Sequence, residues 1–299
     1  MSTFRTTRHV GLLVRLKAVL LWLCLSAVAV SCRADGIVQV SPFTKDDSVM
    51  PETITFVNWN AQKGVHAQFR QDLESLIERH NPHLIFLQEA RADLIEPGAM
   101  GGYFASSWSY PWPGGKAIGV MTFSRAAPLK TQFVPTKWRE FFITAPKVSF
   151  VTEYLLPGGE IMLAVNVHLL NFERWGTMKV RDQLNELKTI ISRHEGPILM
   201  AGDFNTWNEK RFGLVQELAG EASLVEVAGF PPGRTTASKD SGFLDWFLGI
   251  DNELPLDRVY YRGFTEQGAQ VLEYSSSDHN AILVRLRLQQ RWSEQMNEK

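Results

Sequence analysis

The octapeptide ILMAGDFN, residues 198–205, carries the strongest fold signal in the chain. Its four apolar residues read as a buried strand that runs directly into Asp203 and Asn205, two side chains with hard oxygen ligands. Alternation along an extended chain puts Asp203 and Asn205 on the same side, while Phe204 turns toward the core. The octapeptide therefore predicts a strand with a polar site at its end.

A second segment of the same kind, SDHN at residues 277–280, precedes the apolar run 281–288 and adds an imidazole. Carboxylate, amide and histidine side chains together suit a magnesium-type cation that acts on a phosphate ester. The two segments predict one metal-dependent site if the fold brings them together.

Short apolar runs alternate with helical patterns between Thr53 and Leu288. Strands are predicted at 54–57, 84–87, 118–123, 148–155, 161–167, 198–201, 258–261 and 281–288, and helices near 69–77 and 178–194. Some neighbouring strands are joined by short turns, whereas others are separated by helices. This order predicts an α/β four-layer sandwich, in which two mixed, mainly antiparallel sheets are flanked by helices.

Candidate site residues follow or precede the predicted strands at their ends. They are Asn60, Glu89, His168, Asp203 and Asn205, with Asp278 and His279 before the last strand. If neighbouring strands run antiparallel, these ends gather at one edge of the sheets. The same alternation pairs Asn166 with His168, and Asn58 with Asn60.

Charge is distributed unevenly along the 299 residues, whose formal net charge is −1. Residues 1–32 contain four bases and no acid, so the remainder holds 27 bases against 32 acids, a net charge of −5. A mildly acidic body argues against tight nucleic-acid binding through bulk electrostatics, although a local basic groove stays open.

The N-terminal segment, residues 1–33, has the layout of a secretory signal peptide, with basic residues before the apolar run 18–30. An uncleaved anchor is the alternative. Cys32 follows a small-residue patch that resembles a lipoprotein processing box, whereas an incidental cysteine with cleavage near Ala34 is the simpler explanation. These features predict export to a bacterial periplasm or envelope, with membrane association through this segment.

The folded body is predicted to depend on its core alone, because both cysteines, Cys24 and Cys32, lie in the N-terminal segment. The body then has neither a disulfide nor a thiolate site. Residues 34–52 are polar, contain Pro42 and Pro51, and are predicted to form a linker. A domain at 53–288 follows, and residues 289–299 form a polar tail.

Five ordered motifs resemble the endonuclease/exonuclease/phosphatase superfamily. They are VNWN ending at Asn60, FLQEA containing Glu89, NVHL containing His168, GDFN and SDHN. The resemblance spans roughly residues 53–288, and GVMTFS, MAGDFN and LDRVYYRG look closest to the bacterial YafD-like branch. It implies a DNase I-like fold and metal-dependent hydrolysis of phosphate esters.

The resemblance also implies a metal site. Glu89 would be the main ligand of magnesium, or of manganese in its place, with Asn60 and Asp278 nearby. An oxygen cage with few protein ligands would leave the cation free to hold phosphate and water.

The catalytic roles are implied in the same way. His279 would take a proton from water or act on the phosphate, oriented by Asp257 in PLDRVYY, for which Asp245 is the alternative. Asp203 would position the attacking water. Asn205 and His168 would donate hydrogen bonds to phosphate oxygens.

Each candidate also has a purely structural interpretation when taken singly. Asn60 could cap a turn, His168 could be a satisfied core histidine, and Asp203 with Asn205 could form an Asx turn. Glu89 fits such an explanation less well, because a partly buried carboxylate needs a partner. It is improbable that every one of these residues, in the order in which they occur, has only a structural role.

Substrate signals are weaker than site signals. The Pro/Gly-rich stretch around 103–112, which carries Tyr103, Phe104, Trp108, Tyr110 and Trp112, is predicted to be too irregular for one strand. Its aromatics could stack on bases, lie against lipid, or cover the core. Lys147, Arg174 and Arg181 are candidate phosphate contacts, or solvated surface charges.

The first functional hypothesis is a secreted or envelope-anchored phosphodiesterase, a nuclease before other types, and monomeric. A lipid- or inositol-phosphate hydrolase is the nearest alternative, and a non-catalytic binding module on the same fold is the third. Retention of every candidate site residue counts against the last.

Overall fold

The computed structural model describes residues 36–43, 48–93, 100–109, 117–139, 146–173, 176–228 and 255–289. The strands are β1 (Gly36–Ser41), β2 (Thr53–Asn60), β3 (Leu84–Arg91), β4 (Gly101–Ser109), β5 (Ala117–Ser124), β6 (Lys130–Pro135), β7 (Val148–Leu155), β8 (Ile161–His168), β9 (Ile198–Asp203), β10 (Val225–Glu226), β11 (Asp257–Arg262), β12 (Phe264–Leu272) and β13 (Ala281–Leu288). The helices are α1 (Phe69–His80), α2 (Met178–Ile191) and α3 (Glu209–Glu221). Within this described part, no helix is long and apolar enough to cross a membrane.

The strands form two mixed sheets. One has the order β1-β4-β5-β3-β2-β13-β12, and the other has the order β10-β11-β9-β8-β7-β6. Most neighbours are antiparallel, but β2 pairs with β3 and β8 pairs with β9 in parallel. Each parallel pair encloses a helix in sequence, α1 or α2, because a parallel return requires a crossover connection.

Three layers of apolar side chains hold the sheets and helices together. The layer between the sheets contains Phe56, Phe86, Ala164, Leu199 and Val284, all buried. A second layer packs α1 against the outer face of the seven-stranded sheet, and a third packs α2 and α3 against the six-stranded sheet. The four-layer sandwich predicted from the sequence is therefore confirmed.

Residues 36–41 correct the prediction of a linker over 34–52. They form the edge strand β1, which pairs antiparallel with β4, and Ile37 and Val40 pack against buried clusters. The segment GIVQVS contains three β-branched residues, and its pairing to β4 forms a strand that the polar composition of 34–52 as a whole does not reveal. Pro42 follows the strand, at a place where proline ends sheet pairing.

The stretch 101–109 corrects the prediction of irregular structure around the aromatics, because it forms β4 between β1 and β5. A bulge between Ser106 and Trp108 absorbs the irregularity. Phe104 is buried and Tyr103 packs against Phe150, so these two rings serve the core rather than a substrate. Tyr110, Trp112 and the side chain of Trp108 lie outside the described residues.

Strands β6, β10 and β12 have no counterpart among the predicted strands. Each forms or adjoins a sheet edge, where one or both faces are solvated and the apolar pattern is weak. The helix predicted to reach 194 ends at Ile191, and the polar tail lies outside the described residues beyond 289.

Gly202 of the GDFN motif permits a close approach of β8 to β9. A Cβ at this position, where φ is +153°, would lie 1.9 Å from the backbone oxygen of Val167. We expect Gly202→Ala to lower the free energy of unfolding by about 2–4 kcal/mol, because the added methyl forces the parallel pair apart. Urea unfolding followed by far-UV circular dichroism measures the change.

Gly220→Ala is the matched control, because Gly220 lies in α3 and its added Cβ meets no atom within 4 Å. It should leave stability unchanged or raise it slightly, since alanine favours a helix. Equal midpoints for wild type and Gly202→Ala would contradict the expected strain.

Candidate active site

The ends of the central strands meet at one edge of the space between the sheets. The parallel register places His168 opposite Asp203, and the antiparallel register places Asp203 opposite Asp257. Asn60 ends β2 in the facing sheet, whose neighbour β3 carries Glu89. The strand pairing thus brings together residues that lie more than 200 positions apart in the sequence.

Asp257 and His279 form a buried pair. The Nδ1 atom of His279 lies 2.6 Å from Oδ2 of Asp257. Two hydrogen bonds also fix the backbone of His279. Its carbonyl oxygen accepts from the Trp59 indole N–H at 2.8 Å, and its backbone N–H donates to the Ser277 hydroxyl at 3.2 Å. Asp257 is therefore the partner of His279, and Asp245 lies outside the described residues.

The pair fixes the charge of the imidazole. Burial by itself lowers the pKa of His279, but the carboxylates of Asp257, Asp203 and Asp278 outweigh it and raise the pKa to about 10. At neutral pH, His279 is therefore a buried cation whose Nε2 remains a hydrogen-bond donor.

Asp203 is held by two hydrogen bonds at the end of β9. Its Oδ1 accepts from the backbone N–H of Asn205 at 2.9 Å, and its Oδ2 accepts from the amide of Asn60 at 2.9 Å. Burial raises the pKa of Asp203 to about 6, although the His279 cation opposes the shift. A carboxylate with such a pKa exchanges protons close to neutral pH, as a general base requires.

Asp203, Asp257 and His279 also form a buried group of potential metal ligands, with one ligand atom from each within 4.8 Å of the others. The hydrogen bond between His279 and Asp257 already uses the Nδ1 atom and one carboxylate oxygen. A cation bound at Nδ1 would break this bond, and one bound at Nε2 would require the charged imidazole to lose its proton. The group therefore fits proton transfer and charge stabilisation better than direct metal coordination.

Glu89 lies between two ammonium groups. Its Oε2 is 2.8 Å from the Lys63 Nζ atom, and its Oε1 is 3.3 Å from the Lys147 Nζ atom and 3.9 Å from Nε2 of His168. Burial would raise the pKa of Glu89, but the ammonium groups of Lys147 and Lys63 lower it well below its usual range. Glu89 is therefore an ionised, nearly buried carboxylate.

His168 is neutral and almost fully buried. Burial, followed by the charge of Lys147, lowers the pKa of His168 well below its ordinary value. Its Nε2 lies 3.1 Å from the Lys147 ammonium, which can only donate, so that Nε2 accepts in this arrangement. Lys147, rather than His168, thus presents N–H groups toward the site here.

The remaining predicted residues line the same edge. The amide of Asn205 donates to the Leu169 oxygen at 2.9 Å, and Oδ1 of Asn60 accepts from the Gln62 N–H at 3.0 Å. Asp278 is half-buried, and its backbone N–H donates to Oε1 of Gln62 at 3.2 Å. All eight predicted site residues therefore lie at one edge of the sandwich.

Lys147, Arg174 and Arg181 were candidates for phosphate contacts, with solvated surface charge as the alternative. Of these, only Lys147 reaches the site among the described residues, because Arg181 pairs with Glu217 between α2 and α3. Arg174 lies outside the described residues.

Unusual backbone geometry is concentrated at this edge. Six non-glycine residues of the described chain have left-handed φ angles, and four of them belong to the site: Gln62, Lys63, Glu89 and Asn205. The other two, Asn81 and Ser223, follow the ends of helices, where this conformation is usual. Each such residue costs about 1–3 kcal/mol, and strain of this kind is typical of functional sites.

A buried amide network lies directly beneath the site and was not predicted. The Nε2 atom of Gln88 donates to Oδ1 of Asn58 at 2.9 Å and to Oδ1 of Asn166 at 2.8 Å, which links the two sheets. Asn166 also donates to the Met121 oxygen at 3.0 Å. An amide inside the apolar run LIFLQ is the signal that points to Gln88.

Two side chains from the helices fix the loop after His168, and these also were not predicted. Gln183 on α2 donates to the His168 oxygen at 2.9 Å and accepts from the Leu170 N–H at 3.1 Å. The buried Arg211 on α3 donates to the backbone oxygens of Leu170 and Asn171. These bonds hold the strand end in place from the helical side.

Comparison with known proteins agrees with this architecture. A family model described as endonuclease/exonuclease/phosphatase family matches residues 57–279. The UPF0294 protein VV1_1880 of Vibrio vulnificus (strain CMCP6) is 34% identical over 241 residues, which cover 78% of this chain and 76% of the relative.

Solved structures share the fold. An endonuclease/exonuclease/phosphatase from Beutenbergia cavernae has a TM-score of 0.58 at 17% identity, covering 79% of this chain and 72% of that one. ANGEL2, a 2′,3′-cyclic phosphatase, has a TM-score of 0.57 at 15% identity, covering 79% and 95%. The sandwich is thus DNase I-like, and the match to the family model spans most of the chain. The chain belongs to the endonuclease/exonuclease/phosphatase family.

Proposed function

We propose that the protein is a divalent-metal-dependent phosphodiesterase that cleaves a P–O bond by attack of water. One observation carries the proposal: a continuous run of contacts joins the ionised Glu89 to the charged His279. The run passes from Glu89 to His168 at 3.9 Å, on to Asp203 at 3.8 Å, and to the Asp257–His279 pair across the β9–β11 register.

The residues present fit a magnesium ion, or manganese in its place. Glu89 is ionised at neutral pH, Asp278 is half-buried and is linked through its backbone N–H to Gln62, and Oδ1 of Asn60 has a second lone pair beyond its one hydrogen bond. Oxygen donors of this kind are those that magnesium prefers, and no thiolate is available in the body to favour a softer metal. A bound cation would neutralise charge on the phosphate as the bond breaks.

The protein's own side chains divide the remaining work. Asp203, with its pKa of about 6, accepts the proton of the attacking water. His279 is already charged, which favours the role of stabilising negative charge on phosphate oxygens over that of accepting a proton. Lys147, close to His168, adds a second positive charge to the same edge.

Nucleic acid is the first substrate class that we propose, and lipid or inositol phosphate esters are the alternative. The ammonium groups of Lys63 and Lys147 place two cations at the site, within an otherwise acidic body, that the phosphates of a nucleic acid could contact. We also propose export to the periplasm or envelope, on the basis of the N-terminal segment. Palmitate labelling lost on Cys32→Ser tests its lipidation.

A substrate panel with the purified full chain tests the activity. It compares plasmid DNA, RNA, an aryl phosphodiester, phospholipid vesicles and inositol phosphates, each with magnesium, manganese or chelator. Turnover of none of them under any condition would contradict an enzymatic function and favour a binding module.

Removal of the metal and removal of its main ligand should both lower turnover. We expect chelation to abolish turnover and Glu89→Gln to lower it by about a hundredfold or more, because an amide cannot replace the charge of the ligand. Glu153→Gln is the matched control, since Glu153 forms an ordinary surface ion pair with Lys130 at 3.2 Å and should be dispensable. Full activity of Glu89→Gln in magnesium would show that Glu89 is not a metal ligand.

A further inference from the structure

We propose that the Lys63 ammonium, which pairs with Glu89, moves to the phosphate group when a substrate binds, so that phosphate and divalent-cation binding reinforce each other. This inference rests on the proposed function, because it assumes that Glu89 is the metal ligand. It adds a residue outside the predicted site, together with a coupling between two ligands.

The turn that carries Lys63 is held in an unusual conformation. Gln62, Lys63 and Gly64 have consecutive left-handed φ angles of 44°, 59° and 55°. Four hydrogen bonds maintain the turn: Gln62 N–H to Asn60 Oδ1, Gly64 N–H to the Ala61 oxygen, Val65 N–H to the Gln62 oxygen, and Asp278 N–H to Gln62 Oε1. A conformation that L-residues avoid, fastened to two predicted metal ligands, indicates that the position of Lys63 matters to the site.

Lys63 competes directly with a cation. Its Nζ atom lies 2.8 Å from Oε2 of Glu89, where it satisfies the same negative charge that a divalent ion would bind. Removal of this contact is required before Glu89 can give that oxygen to a metal. Lys63 therefore weakens cation binding as long as it contacts Glu89 rather than another anion.

A phosphate group supplies that other anion. The Lys63 side chain is 43% exposed, so that its ammonium can leave Glu89 for an anion arriving from solvent. Lys147, at 13% exposure, is instead enclosed between Glu89 and His168 and has less freedom to move. Lys63 is thus the lysine suited to exchange partners between the carboxylate and the phosphate.

Reciprocal coupling follows from this exchange. If phosphate draws Lys63 away from Glu89, the cation gains a free carboxylate oxygen, and by linkage the cation must strengthen phosphate binding by the same factor. The effect is a binding effect and can be measured without turnover.

Equilibrium binding of Mn²⁺, measured by electron paramagnetic resonance with and without inorganic phosphate, tests the proposal on the full chain. We expect Lys63→Met to bind Mn²⁺ roughly three- to tenfold more tightly than wild type without phosphate. Phosphate should tighten Mn²⁺ binding to the wild type. It should have no such effect on Lys63→Met. Lys63→Arg should behave like wild type, because the charge is kept.

Two further variants serve as controls. Lys130→Met removes an exposed lysine from another carboxylate pair, at the far end of β6, and should leave Mn²⁺ binding unchanged. Lys63→Asn, which tolerates the left-handed turn, repeats the test if the methionine variant is unfolded by circular dichroism.

Glu89→Gln separates the two proposals. If it abolishes Mn²⁺ binding while Lys63→Met and wild type bind alike, the coupling is wrong and the metal site stands. If Glu89→Gln binds Mn²⁺ as wild type does, the ligand assignment fails, and the role of Lys63 fails with it. Tighter binding by Lys63→Met that phosphate no longer affects supports the exchange.

Discussion

Asp203→Asn should lower kcat/KM for a phosphodiester substrate by about a thousandfold. Asparagine keeps the shape of the side chain and one acceptor oxygen for the Asn205 N–H, but it cannot take a proton from water. Because the pKa of Asp203 is about 6, the wild-type rate should rise with pH through that value, as the carboxylate loses its proton. Steady-state kinetics from pH 4.5 to 8.5 measure both effects.

Asp182→Asn is the matched control for this substitution. Asp182 lies on α2, where its Oδ2 accepts a hydrogen bond from Trp138 at 2.9 Å and pairs with Lys137 at 3.0 Å. Since Asp182 contacts none of the site residues, its variant should retain activity within a factor of a few. Activity of Asp203→Asn within tenfold of wild type, with its rise near pH 6 intact, would exclude Asp203 as the base.

Much of the sandwich could be predicted because central strands such as β9 and β13 contain runs of four apolar residues. The last strand was predicted at 281–288 and is found at those residues, and the run 198–201 lies inside β9. Such strands are buried between the second sheet and a helical layer, so that their composition alone identifies them. Phe204 likewise packs into the helical side, as alternation predicts.

The strands at the sheet edges could not be predicted, because they lack the continuous burial that makes a central strand apolar. β1 and β12 show mixed burial, and their stability comes from backbone hydrogen bonds to β4 and β13 that leave little trace in the side-chain pattern. The role of the aromatic residues in β4, substrate contact or core, stayed open at the sequence level, because an exposed ring and a core ring have the same sequence signature.

The site shows a similar division. Strand ends and their order identified the carboxylates and histidines, but Glu89 was not expected to need a left-handed backbone. Strict alternation in β3 turns Gln88 toward the space between the sheets and Glu89 away from it. A register shift between Leu87 and Ala90, with a φ of 46° at Glu89, re-aims the carboxylate toward Lys147 and His168. Lys63 depends on the same kind of local backbone detail, which composition does not show.

Asp257→Asn should lower the pKa of His279 by several units, from about 10 toward or below its ordinary 6.5. Burial favours the neutral imidazole, and the Asp257 carboxylate is the strongest of the groups that oppose it. An asparagine can still accept the Nδ1–H hydrogen bond, yet it carries no charge to stabilise the cation. Histidine-selective NMR of metal-free protein, with the signal assigned by His279→Gln, measures the titration directly.

The pair also makes stability depend on pH with a definite sign. A pKa raised by folding contributes stability that is fully present below about pH 6.5 and is lost as the pH rises through about 10. The wild type should therefore lose stability between pH 7 and 10, whereas Asp257→Asn should show a smaller loss over that range.

Asp278→Asn is the control for charge alone, because Asp278 is the weakest of the three carboxylates that raise the pKa of His279. Its variant should shift the His279 titration by much less than Asp257→Asn does. Equal shifts in the two variants would mean that the general negative potential of this edge, rather than the 2.6 Å hydrogen bond, keeps His279 charged. In that case Asp257 would orient the ring through that bond without being the main source of its charge, which would depend on all three carboxylates.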